Sequence, residues 1–338
     1  MSPAEFINKY FIIVLIFVIC SGLFLGYFYP EYGHFLEALY PVSLFVMLFP
    51  MMITIKVNEM VMVSKRIGFI TVVMFFNYLL SPLLAAFLGH VFLSGYPDFA
   101  VGLIISNVVP CGGMIVAWTA MSRGNAPMTL VITVVSLLAG IALIPFWIWV
   151  LAGKYVPVDG WKILQTIFFT IAVPLLLGNF TRVWLTKKFG REKFDSLKPV
   201  FTATSLLGLF MIFFIAMMSQ SRLILKNLQY IAIVGLPTIV FYILLLAITL
   251  LYARFTRTTY QDMVSLVYGV NGKNMSIALA IAVVSFSPLT VLFLAVKSII
   301  QFSFLTTFYK ITPYLREYWL KVLPAPAAEA DKSVEKNF

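Results

Sequence analysis

Residues 108–118 read "VVPCGGMIVAW" and lie inside a largely apolar stretch from Phe99 to Met121. A segment of that length can cross the roughly 30 Å of bilayer hydrocarbon. Pro110 removes a backbone donor and crowds the preceding turn, and Gly112 and Gly113 are weak helix formers. The helix is therefore expected to break in mid-span. Backbone groups freed in hydrocarbon must be satisfied by protein or by a wet cavity. The break thus predicts a binding site at membrane depth or, more plainly, close helix packing over the two glycines.

Composition supports the membrane setting. Of 338 residues, 62% are hydrophobic and 11% charged, and the mean hydropathy is +0.99. A soluble domain of this size cannot bury so much apolar surface. The net charge of +11 does not indicate a nucleic-acid partner, because the basic residues are scattered in short loops beside hydrophobic runs. Cys20 and Cys111 both sit in apolar stretches and form no disulfide framework.

Ten spans are expected: Tyr10–Phe28, Leu36–Lys56, Ile67–Phe92, Phe99–Met121, Pro127–Leu151, Trp161–Trp184, Val200–Met218, Tyr230–Tyr252, Tyr260–Phe286 and Pro288–Tyr309. The first is long for a signal segment and no small-residue cleavage pattern follows it, so it is read as a mature span. With the N-terminus inside, seventeen Lys and Arg fall on the inner side, among them Lys9, Lys65 and the cluster from Lys187 to Lys198. Four fall outside: Lys154, Lys162, Arg222 and Lys226. That bias places both termini in the cytoplasm and requires an even number of spans.

An internal repeat is also visible. "PMTLVITVVS" at Pro127 and "PLTVLFLAVK" at Pro288 are 161 positions apart, and the same offset carries "PCGG" at Pro110 onto "NGKN" at Asn271. Pro82 and Pro237 each stand mid-run in spans three and eight. Five spans followed by five similar ones must be inverted, since an odd number reverses the second copy. The expected organisation is a first repeat over 1–160, a second over 161–323, and a disordered cytoplasmic tail over 324–338. Two broken helices at corresponding places point to a site near the midplane, where half-helix ends supply opposed partial charges.

Cys20, with nothing polar beside it, reads as a small apolar filler. Cys111 follows a proline at the break, where its sulfur is able to face a cavity. A thiol there suits a soft partner such as trivalent arsenic or antimony. A single sulfur is a weak ligand, which suits a carrier that must release its cargo.

"PCGGMIVAW" resembles the fourth span of the arsenical-resistance permeases, the yeast-type arsenite efflux family. There a Cys is followed by Met three residues later and Trp seven residues later; here these are Cys111, Met114 and Trp118. "VMLFPMMITIKV" and "NYLLSP", with Asn77 and Pro82, are similar to that family's second and third spans. "SRGNAPMTLVITVVS" is similar to the segment joining spans four and five across the wider bile acid:sodium symporter superfamily. The resemblance implies an all-α membrane protein of ten helices in two inverted five-helix repeats, with helices four and nine broken and crossing. It also implies a core of spans three to five and eight to ten moving against a panel of spans one, two, six and seven. The cargo-contacting residues expected on this basis are Cys111, Gly112, Gly113, Asn77, Asn271 and Asn274.

The departures from the superfamily pattern matter. Sodium-coupled members carry a ninth-span carboxylate near an amide. Asn274 stands for the amide, but the carboxylate position falls on Val270 or Ser276, and a second one expected early in span ten falls on Val291. The Ser-Asn pair of sodium sites is replaced around Ile115 and Val116, while Thr129 and Thr133 keep hydroxyls. The membrane interior holds Lys273 and Lys297 instead. An ammonium at helix centre costs about 2.5–3.5 kcal/mol on insertion scales. Lys56 is expected to snorkel at a span end, but Lys297 is too central to do so. Coupling or charge compensation is therefore assigned to Lys273, Lys297, Thr129, Thr133 and Ser276. Glu59 and Asp262 lie near span ends and are poorer partners for the lysines.

The expected function is secondary active export of arsenite or antimonite, in exchange for protons and without sodium, across the plasma membrane. A carrier of a small organic anion is the alternative, with the lysines as counter-charges. An intramembrane enzyme using Cys111 needs a general base, and His34 and His90, the two histidines, both lie near span ends. No zinc motif, nucleotide loop, metal or cofactor is expected. The expected partners are the cargo, the bilayer and protons, with no nucleic acid.

Overall fold

Pro97, Pro127 and Pro288 each stand in the first turn of a helix, where a missing N–H costs nothing and φ is already helical. The computed structural model describes residues 11–54, 66–157, 160–219, 221–226 and 229–322. Lys9, Tyr10, Lys56, Glu59, Lys65 and the tail from Pro324 lie outside them, as do the side chains of His34 and Lys162.

The principal helices are α1 (Phe11–Phe28), α2 (Tyr40–Thr54), α3 (Ile67–Phe75), α4 (Ser81–Phe92), α5 (Pro97–Val108), α6 (Ile115–Met121) and α7 (Ala126–Leu151). They continue as α8 (Gly160–Ile167), α9 (Val173–Phe189), α10 (Arg191–Ser219), α11 (Gln229–Phe255), α12 (Tyr260–Asn271), α13 (Met275–Ser285) and α14 (Pro288–Val322). A π turn over Phe76–Leu80 joins α3 to α4, and another over Phe168–Ala172 joins α8 to α9. Pro82 and Pro174 follow these turns by two residues. A proline ring displaces the carbonyl four residues back, and the wider turn accommodates it without ending the helix.

Among the described residues, six helical stretches are long and apolar enough to span: Pro30–Thr54, Ile67–Phe92, Ala126–Lys154, Arg191–Ser219, Gln229–Phe255 and Pro288–Leu320. The protein is an all-α, multi-pass membrane protein. The stretch expected as span four is two helices, α5 and α6, and that expected as span nine is α12 and α13. The helices reach beyond the apolar runs that announced them: α10 starts at Arg191, not Val200, and α14 runs on to Val322 past Tyr309.

Burial divides the helices. Every residue from Phe99 to Val108 of α5 is buried, as is nearly all of α12. Other helices carry apolar side chains outward, such as Phe17 of α1 (71% exposed) and Phe180 of α9 (73%). Such a surface belongs against lipid. α10 packs on α1, α2 and α9, while α14 packs on α5, α11 and α13.

Glycine lets α9 and α10 meet the backbone of α2. A Cβ on Gly178 of α9 would lie 2.8 Å from the Met52 carbonyl carbon, and one on Gly208 of α10 would overlap the Met47 backbone. Ser205, one turn from Gly208, donates to the Met47 carbonyl at 2.6 Å. Gly208→Ala is therefore expected to cost about 1–3 kcal/mol through overpacking. A lower thermal stability in detergent would report it, with Gly235→Ala as control, because nothing lies within 4 Å of a Cβ there.

Candidate functional site

Val109, held extended ahead of Pro110 (φ −73°, ψ 155°), ends α5. On the other side Gly272 ends α12, where a Cβ would overlap Ile115 of α6. The two interruptions pair. Gly112 N–H donates to the Gly272 carbonyl and Asn274 N–H to the Pro110 carbonyl, each at 2.8 Å, so Cys111 and Lys273 are opposed in an isolated antiparallel bridge. The freed backbone groups thus satisfy one another. Residues directly opposite in such a bridge project to the same face.

On that face the Cys111 sulfur is 2.9 Å from Ser136 Oγ, and Cys111 N–H donates to the same oxygen at 3.4 Å. Ser136 donates to the Thr133 carbonyl at 3.0 Å, so the thiol is the donor to Ser136. Tyr78 donates to the Ser136 carbonyl. Lys273 Nζ donates to Asn77 Oδ1 at 2.7 Å and to the Asn77 carbonyl at 3.2 Å. Asn77 rides on the first π turn and donates through Nδ2 to the Gly269 carbonyl, in the last turn of α12, at 2.9 Å.

Lys297 of α14 is fully buried. Its Nζ donates to Ser106 Oγ (2.7 Å), Asn107 Oδ1 (2.8 Å) and the Ser106 carbonyl (3.4 Å), all in the last turn of α5. It also lies 5.2 Å and 5.6 Å from the ring centroids of Phe241 and Tyr242. One turn on, Gln301 donates to the Lys273 carbonyl and accepts from Tyr242 Oη, both at 2.8 Å. Tyr242 and Gln301 thus tie the backbone of Lys273 to α11 and α14, with the Tyr242 ring beside the Lys297 head group. Among the described residues no carboxylate pairs with either lysine: Asp262 pairs with Arg66 at 2.7 Å.

The other face of the bridge is more open. Gly113 is exposed with nothing within 4 Å of a Cβ, and a Cβ on Gly112 would make ordinary contact with Lys273 O at 3.6 Å. Close packing therefore does not explain these glycines. Asn274 caps α13 by accepting from Ile277 N–H at 3.3 Å, and its Nδ2 faces Met51 Sδ of α2 at 3.9 Å. Asn271 donates to the Val267 carbonyl, and its Oδ1 is the buried side-chain polar atom without a partner among the described residues.

Thr129 donates to Thr119 Oγ1 and to the Asn125 carbonyl, and Thr133 to the Thr129 carbonyl; both are buried inside α7. Ser276 is half-buried in the first turn of α13. One expectation changes: the Cys111 sulfur, at 1% exposure, faces Ser136 and not the open side. The bridge sets this, because its backbone fixes which way residue 111 projects. No group of three His, Cys, Asp or Glu able to hold a metal is present among the described residues.

A profile of the sodium bile acid symporter family matches residues 41–227, more than half of the chain and inclusive of the first break. The chain belongs to that family. It is 23% identical to the arsenical-resistance protein Acr3 of Corynebacterium glutamicum over 307 residues, covering 84% of this chain and 83% of that protein. It is 26% identical to the Acr3 protein of Alkaliphilus metalliredigens over 223 residues, covering 61% and 62%. It is also 22% identical, over 81% of its length and 83% of the relative, to the sodium-dependent transporter YocS of Bacillus subtilis.

Within this member of the sodium bile acid symporter family, six polar residues around the crossing had no assignment from sequence: Tyr78, Ser136, Gln301, Tyr242, Ser106 and Asn107. Two carried a usable signal. Ser136 continues the hydroxyl stripe of Thr129 and Thr133 at helical spacing, and Gln301 stands four residues beyond Lys297 on the same face.

Proposed function

We propose that this chain is a secondary active transporter that exports arsenite or antimonite by alternating access, coupled to protons and independent of sodium. The observation that carries the reading is Cys111 at the paired break, with Met114 and Trp118 after it. The Acr3 names of two relatives support the cargo. One hydroxyl of a trivalent metalloid hydroxide exchanges with the thiol: a metalloid–sulfur bond forms, a metalloid–oxygen bond breaks, and the thiol proton leaves with the hydroxyl as water. The thiol must first give up its hydrogen bond to Ser136. A single soft ligand keeps the bond reversible.

The same reading takes ten spans in two inverted repeats, 1–160 and 161–323, with both termini in the cytoplasm. The antiparallel pairing of the two interruptions supports it, because each half-helix reaches the crossing from the opposite side. The packing of α10 with α1, α2 and α9, apart from the buried α5 and α12, supports a panel and a core. Gly112, Gly113, Asn271 and Asn274 contact the cargo, and Asn77 holds Lys273 beside it.

Lys273 and Lys297 compensate charge. A helix C-terminus carries roughly half a negative charge. Lys297 meets the end of α5 directly, and Lys273 meets the end of α12 through Asn77. Thr129, Thr133 and Ser276 keep hydroxyls near the core, with no carboxylate among the described residues bonded to them to complete a cation site. Uptake into inverted vesicles is accordingly expected to proceed at the same rate in sodium and choline media and to respond to an imposed pH gradient. A saturable sodium requirement would overturn the sodium-independent reading. A small organic anion is the second reading, favoured by two buried lysines whose hydrogen-bond partners are all neutral among the described residues. Assays of arsenite, antimonite and a panel of organic anions in those vesicles test the two readings directly.

A further inference from the structure

α5 and α12 reach the crossing from opposite directions, and each begins with an aspartate that holds the start of a different helix. Asp98, the second residue of α5, accepts from Ser287 Oγ at 2.6 Å, and its carbonyl accepts from Thr290 Oγ1 at 3.0 Å. Ser287 immediately precedes Pro288, the first residue of α14. Asp262, the third residue of α12, accepts from Asn125 Nδ2 at 3.1 Å. Asn125 caps α7 through Met128 N–H at 3.1 Å, and its own N–H donates to the Gln261 carbonyl at 3.1 Å. The aspartates are 164 positions apart and their partners 162, close to the offset of 161 between the breaks.

We propose that Asp98 and Asp262 are positioning residues, each fastening one broken helix to the unbroken last helix of the opposite half, so that the crossing moves as one body. The bridge itself has only two backbone hydrogen bonds to resist shear. α5 and α12 are each about 18 Å long at 1.5 Å per residue, so a tilt at the far end displaces the crossing. Fastening the far ends removes that freedom. The two fastenings are unequal. Arg66 grips Asp262 through two nitrogens, at 2.7 and 3.1 Å, with Asp262 buried and Arg66 half in water. Asp98 is held by hydroxyls alone among the described residues. The Asp262 end is therefore the firmer of the two.

The proposal rests on the crossing being the cargo site, but its first readout does not. In a Cys20→Ser background Cys111 is the sole thiol, and its labelling by N-ethylmaleimide reports opening of the crossing. Losing hydrogen bonds to a charged group is expected to speed labelling about tenfold or more in Asp262→Ala, and less in Asp98→Ala. Maximal transport rate is expected to fall with half-saturation unchanged. Asp98→Asn should restore both properties, since its amide oxygen still accepts from Ser287. Should Asp262→Ala fail to insert, Asp262→Asn and Ser287→Ala weaken each fastening more gently and are expected to speed labelling in the same order. Labelling at the parent rate in inserted variants at both ends would overturn the proposal. Faster labelling in a protein that carries no metalloid would keep the fastenings and reject the cargo.

Discussion

Cys111→Ser is expected to reduce arsenite and antimonite transport to background while leaving insertion and thermal stability near those of the parent. The substitution isolates sulfur chemistry because serine fits the same environment. A hydroxyl at position 111 still donates to Ser136 Oγ, and the backbone bridge to Lys273 depends on neither side chain. The soft ligand alone is lost, and an alcohol binds trivalent arsenic far less strongly than a thiol does. Cys20→Ser, on the exposed face of α1, is expected to change nothing. Vesicle uptake of both metalloids, with detergent melting curves for the same variants, checks the prediction. Retained arsenite transport in an inserted Cys111→Ser protein would remove sulfur from the mechanism.

Lys273→Met is expected to lower transport of every cargo at least tenfold and to destabilise the protein by about 2–3 kcal/mol. The ammonium makes two hydrogen bonds to Asn77 in a fully buried setting, and charged hydrogen bonds are worth about 1.5–3 kcal/mol. Without it, Asn77 is left with unpaired oxygens, and the end of α12 loses its compensating charge. Lys273→Arg is expected to recover part of both properties, because a guanidinium keeps its charge and reaches two oxygens at once. That pattern identifies a fixed cation. A proton carrier would fail equally with Arg and Met, since guanidinium holds its proton at any accessible pH. An anion-binding lysine would instead lose affinity for one cargo with little change in stability. Melting temperature and transport for several cargoes, measured on both variants, separate these outcomes, and a stable, active Lys273→Met protein contradicts all three.

The helical, membrane-spanning class was legible because hydropathy is a local property, as were both breaks, which proline, glycine and asparagine mark directly. Pro110 and Gly112 announced the first interruption, and the offset of 161 found the second at Asn271. What the sequence did not reveal was which way each side chain turns at a break. There helical periodicity stops, and the pairing of Cys111 with Lys273 follows from backbone bonds between residues more than 150 positions apart. The partners of the lysines were hidden for the same reason. Lys297 is held by Ser106 and Asn107, which lie one turn before the break and read as ordinary span residues. Asp262 was correctly separated from the lysines, but its place beside Arg66 and Asn125 depends on three helix starts meeting at one end of the bundle.

X-ray absorption at the arsenic edge tests the central claim most directly. Purified Cys20→Ser protein loaded with arsenite is expected to show arsenic bound by one sulfur and two oxygens, and Cys111→Ser in that background is expected to lose the sulfur. An all-oxygen shell in the Cys20→Ser protein would contradict ligation at Cys111 and leave the crossing without its metalloid cargo.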